Sequence, residues 1–186
     1  MARIQSRLYI LECVPKCEHA KEGEVLFNFI DLTNPKALAF REFTTKTEFL
    51  GYLKRERNLH GFDFIHLSGH GYPEENAFEL PVGRVAAEEF PPSCFEGKVV
   101  TLSACALSRK KFMDPFIVIT KAKGVIAPMY DVAYYDAAIW YCNFYYLTLR
   151  HGFSPVGAAD RINRILCDGV ASKGRVKGAF YYWYPD

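Results

Sequence analysis

The chain has 186 residues, of which half are apolar, 16% aromatic and 24% charged, and its formal net charge at pH 7 is +2. That length and apolar content build one packed domain, read as 1–186, and exclude a disordered chain. A charge so near neutral gives no reason to expect nucleic acid or an anionic membrane as partner.

Two short stretches bear on location. Beyond Arg7 only a short apolar stretch, opening with Leu8 to Ile10, precedes a run-breaking Glu12, so no secretory leader is read there. The longest uncharged apolar run, 137–149, is too short to span a bilayer and suits a buried helix. A cytoplasmic location follows as the expectation, and thiols there stay reduced. Of Cys13, Cys17, Cys94, Cys105, Cys142 and Cys167, only the first two lie close together, and His19 beside them has no second cluster. Zinc asks for two close pairs, so no metal and no other cofactor are expected.

In chain order, residues 7–14 predict a first strand ended by Pro15, and 22–32 a helix with Val25, Leu26, Phe29 and Ile30 at helical spacing, broken by Asn34-Pro35. Residues 37–43 predict a second strand although Arg41 and Glu42 sit inside it. Thr45 or Thr47 is placed to cap the next helix, with Phe49, Leu50 and Leu53 as its apolar face and an end near Asn58. Residues 62–67 predict strand three; a polar loop, 72–76, then leads to a hairpin-like piece at 77–80 and 82–85. Pro91-Pro92 precedes strand four at 99–102.

A basic loop, Arg109-Lys110-Lys111, leads into a helix through Phe116, Ile117 and Ile119, with Gly124 marking its end. Residues 125–127 predict a fifth strand, 135–150 and 155–166 two helices, and 179–184 a closing edge strand. Ser154 caps the second of those helices, with Pro155 at its first position. Strands alternating with helices give an α/β fold: a mostly parallel sheet covered on both faces.

Chemistry concentrates at the ends of two apolar runs. Phe62 to Leu67 enters Ser68-Gly69-His70-Gly71, and Val99 to Leu102 enters Ser103-Ala104-Cys105. Runs of this kind read as buried parallel strands, and ligand crevices in open α/β sheets lie beyond their carboxyl ends. As neighbouring strands they deliver His70 and Cys105 to one edge, where an imidazole takes the proton of a nucleophilic thiol. The N–H groups of Gly71 and of Cys105 itself are candidate donors to a developing oxyanion. His66, inside its strand, reads as a packed core histidine; His19, His60 and His151 have no matching partner. Glu74 and Glu75 are placed to orient His70, or simply to face solvent.

The blocks 62–71 and 99–105 resemble those of caspase-like cysteine peptidases, in particular the bacterial CHAT family. Gly124 through Val132, then Phe144-Tyr145, Leu149, Gly152-Phe153-Ser154, Ala158-Ala159 and Tyr182-Trp183, are similar to that family's later segments. The resemblance implies a caspase-like three-layer αβα sandwich, with Cys105 as nucleophile, His70 as general base or acid and Gly71 as oxyanion donor. It implies limited proteolysis of a protein substrate in bacterial regulated proteolysis, including antiviral defence or cell death. Control would come from a sensor or regulator on a separate chain. Two departures stand out. Ser103 precedes Ala104-Cys105 where caspases carry Gln, and Tyr130 and Ala133-Tyr134 replace a Trp and an acidic pair of CHAT relatives.

Substrate preference stays open at this point. Asp131 at a pocket base would select Lys or Arg, whereas Arg109-Lys110-Lys111 would hold an acidic side chain or form a solvated loop. The same fold used as an inert interaction module is the alternative function. A phosphate-binding flavodoxin-like protein is disfavoured, because Pro15-Lys16-Cys17, not a glycine-rich turn, follows the first strand.

Overall fold

A computed structural model of the chain describes residues 6–18, 21–167 and 180–185. His19, Ala179 and the side chain of Cys167 lie outside the described residues. The five apolar runs pair into one sheet with strands β1 (Leu8–Glu12), β2 (Leu38–Glu42), β3 (Phe64–Ser68), β7 (Val99–Ser103) and β8 (Gly124–Pro128) all parallel. The last strand, β9 (Phe180–Trp183), closes the edge antiparallel to β8, giving the order β2-β1-β3-β7-β8-β9. A separate antiparallel sheet of β4 (His70–Tyr72), β5 (Ala77–Glu79) and β6 (Arg84–Ala86) leaves the end of β3.

Helices cover both faces because alternate strand residues feed two cores. Leu11, Ile65, Leu67, Val100, Leu102 and Val125 pack with α2 (Lys46–Leu53) and α3 (Lys110–Thr120) through Phe49, Phe112 and Phe116. Leu8, Ile10, Phe64, Val99 and Ile126 pack with α1 (Glu22–Thr33), α4 (Tyr134–Tyr145) and α5 (Pro155–Ile162). Trp140 of α4 stacks on Phe180 at 4.3 Å between ring centroids and donates to Asn163 Oδ1, which pins α4 and α5 over β9. This is the expected αβα sandwich with a mostly parallel sheet.

Several boundaries differ from the sequence reading, each for a local reason. Thr45 caps α2 by accepting from Glu48 N, yet the helix stops at Leu53 and a separate 3-10 turn, Glu56–Asn58, follows. Lys110 and Lys111 belong to the first turn of α3, not to a loop. That helix ends on Lys121, which takes the left-handed conformation at φ 53°, so Gly124 is free to begin β8. The helices read over 135–150 and 155–166 are regular for two or three turns and finish in π turns, Tyr146–Arg150 and Asn163–Cys167. Among the described residues no helix is long and apolar enough to cross a membrane.

Candidate active site

Parallel register determines what the two reactive loops can do. Phe64 to Ser68 pair one for one with Val99 to Ser103, and the ladder runs one step further through Gly69 N to Ser103 O at 3.1 Å. His70 and Cys105 therefore leave adjacent strands at the same carboxyl edge. Gly71 lies against the Cys105 backbone: a Cβ built there would sit 3.0 Å from Cys105 N and 2.9 Å from Cys105 C. Just past the sulfur, Ala106 takes a left-handed φ of 54° and reverses the chain. A non-glycine residue pays of order 1 kcal/mol for that conformation, a cost tolerated where the fold over-determines it. Bonds from Ala106 N to Tyr130 O and from Ser108 N to Pro128 O tie this turn to the segment after β8.

The imidazole has partners that the sequence reading missed. His70 Nε2 lies 2.9 Å from Glu18 Oε1, and the Tyr134 hydroxyl lies 2.9 Å from Nε2 and 3.2 Å from Nδ1. The Tyr134 hydroxyl also lies 3.2 Å from Glu18 Oε2, so its single proton has two acceptors within reach, Glu18 and His70 Nδ1. Glu18 stands in the connection after β1, which Lys21 anchors by pairing with Glu42 at 2.6 Å. Of the carboxylates placed to orient His70, Glu75 instead pairs with Arg84 at 2.9 Å, because Arg84 lies across the β4–β5–β6 sheet over the Tyr72 ring. A carboxylate only accepts, so Glu18 draws the proton to Nε2 and leaves Nδ1 as the ring's acceptor.

The sulfur is half-buried, and among the described residues its hydrogen bonds go to backbone. Val132 N donates to Cys105 Sγ at 3.5 Å, and the thiol donates to Val132 O at 3.6 Å. Burial pushes the thiol above its ordinary value, opposed by the Val132 N–H and reinforced by the charges of Asp131 and Glu22. It therefore holds its proton at neutral pH and needs a base to become a nucleophile. No hydrogen bond joins the sulfur to His70. Asp131 is exposed and adjoins the residue that brackets the sulfur.

Beneath this edge lies a buried polar layer. Glu12, Ser68 and Ser103 are register partners on one face of the sheet, and Ser103 donates to Glu22 at the start of α1. One pair inward, His66 Nδ1 meets Thr101 Oγ1 at 2.7 Å, and the ring is wholly buried against Tyr141 and Tyr145, a core role as read from the sequence. Burial pushes the Glu12 carboxyl up to about 7. Among the described residues no group of three or more His, Cys, Asp or Glu is arranged to hold a metal ion, and Cys13 is buried while Cys17 is exposed.

No family model matches the sequence, and no curated protein matches it. Solved structures do match. The separase chain of the Saccharomyces cerevisiae separase–securin complex aligns over 98% of this chain with a TM-score of 0.59 at 11% identity. Caspase-1 from Spodoptera frugiperda aligns over 97% of it with a TM-score of 0.53 at 10% identity. The chain spans 12% of the separase and 86% of the caspase. The fold is caspase-like. At these identities the likeness speaks for architecture, so the chemistry rests on the side chains described above.

Proposed function

We propose that the chain is a cysteine endopeptidase that cuts a protein substrate at a limited number of sites. One observation carries the reading: the Gly71 backbone lies against that of Cys105 where two adjacent parallel strands end, which brings the imidazole loop and the thiol loop together. In the proposed cycle His70 Nδ1 takes the Cys105 proton as the sulfur attacks the scissile carbonyl carbon. The oxyanion that forms is met by the N–H groups of Gly71 and Cys105. Collapse breaks the C–N bond, the leaving amine takes the proton from His70, and a thioester remains. Water then gives a proton to His70, adds to the thioester and releases the acid with the thiol restored. Glu18 holds the ring and stabilises its cationic form, as the third member of such arrangements does.

We further propose Asp131 as the group that selects Lys or Arg beside the cut. It is exposed next to the sulfur, and its charge reaches the thiol, whereas Lys110 and Lys111 are exposed on the first turn of α3. Control by a separate regulatory or sensor protein, in a bacterial regulated-proteolysis or defence setting, belongs to the same proposal. The separase neighbour was solved in a complex with securin, a precedent for a protein partner on this fold.

Cleavage of a peptide library tests the reading, with Cys105→Ala and His70→Ala as controls and Tyr134→Phe as a variant that frees the ring. Cleavage after basic residues that both controls abolish is the expected result. No cleavage by either the natural chain or Tyr134→Phe would leave the fold as an inert interaction module.

A further inference from the structure

The proposed chemistry needs His70 to reach the Cys105 sulfur, yet each group is occupied by something else. The thiol is bracketed by Val132 N and O, and the ring by the Tyr134 hydroxyl and Glu18. The Tyr134 oxygen lies 2.9 Å from Nε2 and 3.2 Å from Nδ1, and with its proton turned to Nδ1 it occupies the acceptor that the sulfur would need. Both clamps come from one stretch of chain, two residues apart, where β8 has ended and α4 is beginning.

That stretch is held by few polar contacts, with the half-buried Val132 side chain as its anchor on the core. Ala133 occupies the N-cap of α4 and makes no side-chain cap bond, so the first turn lacks the satisfied donor that Ser, Thr, Asp or Asn would supply. Asp131, Ala133 and Tyr135 are exposed on either side of the two clamping residues. Its backbone tie to the nucleophile loop, Ala106 N to Tyr130 O, is long at 3.4 Å. Breaking these few contacts costs little compared with moving a strand or a packed helix face.

We infer that the segment from Tyr130 to Tyr134 is a latch that keeps the candidate peptidase site at rest, with Val132 holding the thiol and Tyr134 holding the imidazole until the segment moves. The inference rests on the Cys105–His70 reading and adds its regulation. Because one short segment carries both clamps, a single displacement at the start of α4 releases both groups together. A ligand or protein that favours the displaced segment activates the site only to the extent that it binds that state better.

Thiol reactivity tests the latch without any need for a substrate. The rate of iodoacetamide alkylation at Cys105 is measured by peptide mass spectrometry at neutral pH, with Cys94 and Cys142 as internal references. Tyr134→Phe keeps the ring against His70 and removes only the hydroxyl. It is expected to raise the Cys105 rate about tenfold, the bias that one ordinary hydrogen bond supplies, with the reference cysteines unchanged. The rise should vanish in Tyr134→Phe combined with His70→Ala. An unchanged rate, a rise that persists without His70, or a rise shared by all three cysteines each overturns the latch. Failure of the peptidase reading is distinguishable: Tyr134→Phe would then show the His70-dependent rise and still cleave nothing.

Discussion

Gly71 and Cys105 meet backbone to backbone. A Cβ on Gly71 would run into the Cys105 carbonyl oxygen, with Cys105 C and N at 2.9 and 3.0 Å. The obstacle is main chain at the end of a fully buried strand, so it cannot swing aside as a side-chain tip would. Gly71→Ala must therefore push β4 away from the Cys105 loop. Forced overpacking of this kind costs typically about 1–3 kcal/mol. The expected outcome is a lower urea midpoint together with loss of at least tenfold in peptide cleavage. A variant of natural stability and activity would show that the two loops do not touch in solution.

Glu18 offers a separate handle on the imidazole. Glu18→Gln preserves size and a hydrogen-bonding group at Nε2 but removes the charge that stabilises the ring's cationic form. General-base assistance is worth about 10²–10⁴ in rate, and losing one supporting charge should cost about the lower figure. The loss should fall on kcat with KM nearly unchanged, because Glu18 is proposed to act through His70 and not on substrate. An equal rise in KM would assign Glu18 to substrate binding instead.

Asp131 bears on both reactivity and selectivity. Its negative charge adds to the burial that holds the Cys105 thiol above its ordinary value. Asp131→Asn removes a charge that disfavours the thiolate, so the pH profile of Cys105 alkylation should move to lower pH. In the cleavage assay the same variant should lose its preference for Lys and Arg at the cut by about tenfold. A shifted alkylation profile with preference intact would separate the two roles and leave the selecting residue elsewhere.

Much of this fold could be read from residue order alone, and the reason is physical. Near-continuous apolar runs at 62–67 and 99–102 read as strands buried on both faces, and their shared edge follows. Thr45 and Ser154 cap helices because their hydroxyls satisfy orphan N–H groups wherever such residues precede a helical run. Glu18 escaped because its relation to His70 depends on strand order. β1 sits beside β3 only in the folded sheet, and nothing near position 18 in the chain points to position 70. Tyr134 was visible only as a departure from the resemblance, since a tyrosine at a helix start is ordinary core or surface material until its hydroxyl is located. Of the two readings open for Glu75, facing solvent is the one that holds, with Arg84, nine positions on, pairing with it across a hairpin sheet.

Glu12 makes a prediction about stability that is independent of catalysis. The residue is 1% exposed at the end of β1, its Oε1 accepts from Val14 N at 3.0 Å, and burial lifts its carboxyl from 4.5 to about 7. Between those two pH values the folded chain keeps a proton that the unfolded chain has released. Stability from this group is therefore fully present below pH 4.5 and is lost as pH rises through 7. At 1.36 kcal/mol per pH unit the loss amounts to about 3 kcal/mol. Glu12→Gln keeps the acceptor for Val14 N and carries no titrating proton, so its stability should lack this decline. Urea unfolding of both chains from pH 4.5 to 8 should show curves that diverge by about that amount, with the variant the more stable at pH 8. Parallel curves would mean that the carboxyl is hydrated in the folded chain and that the polar layer under the candidate site is open to water.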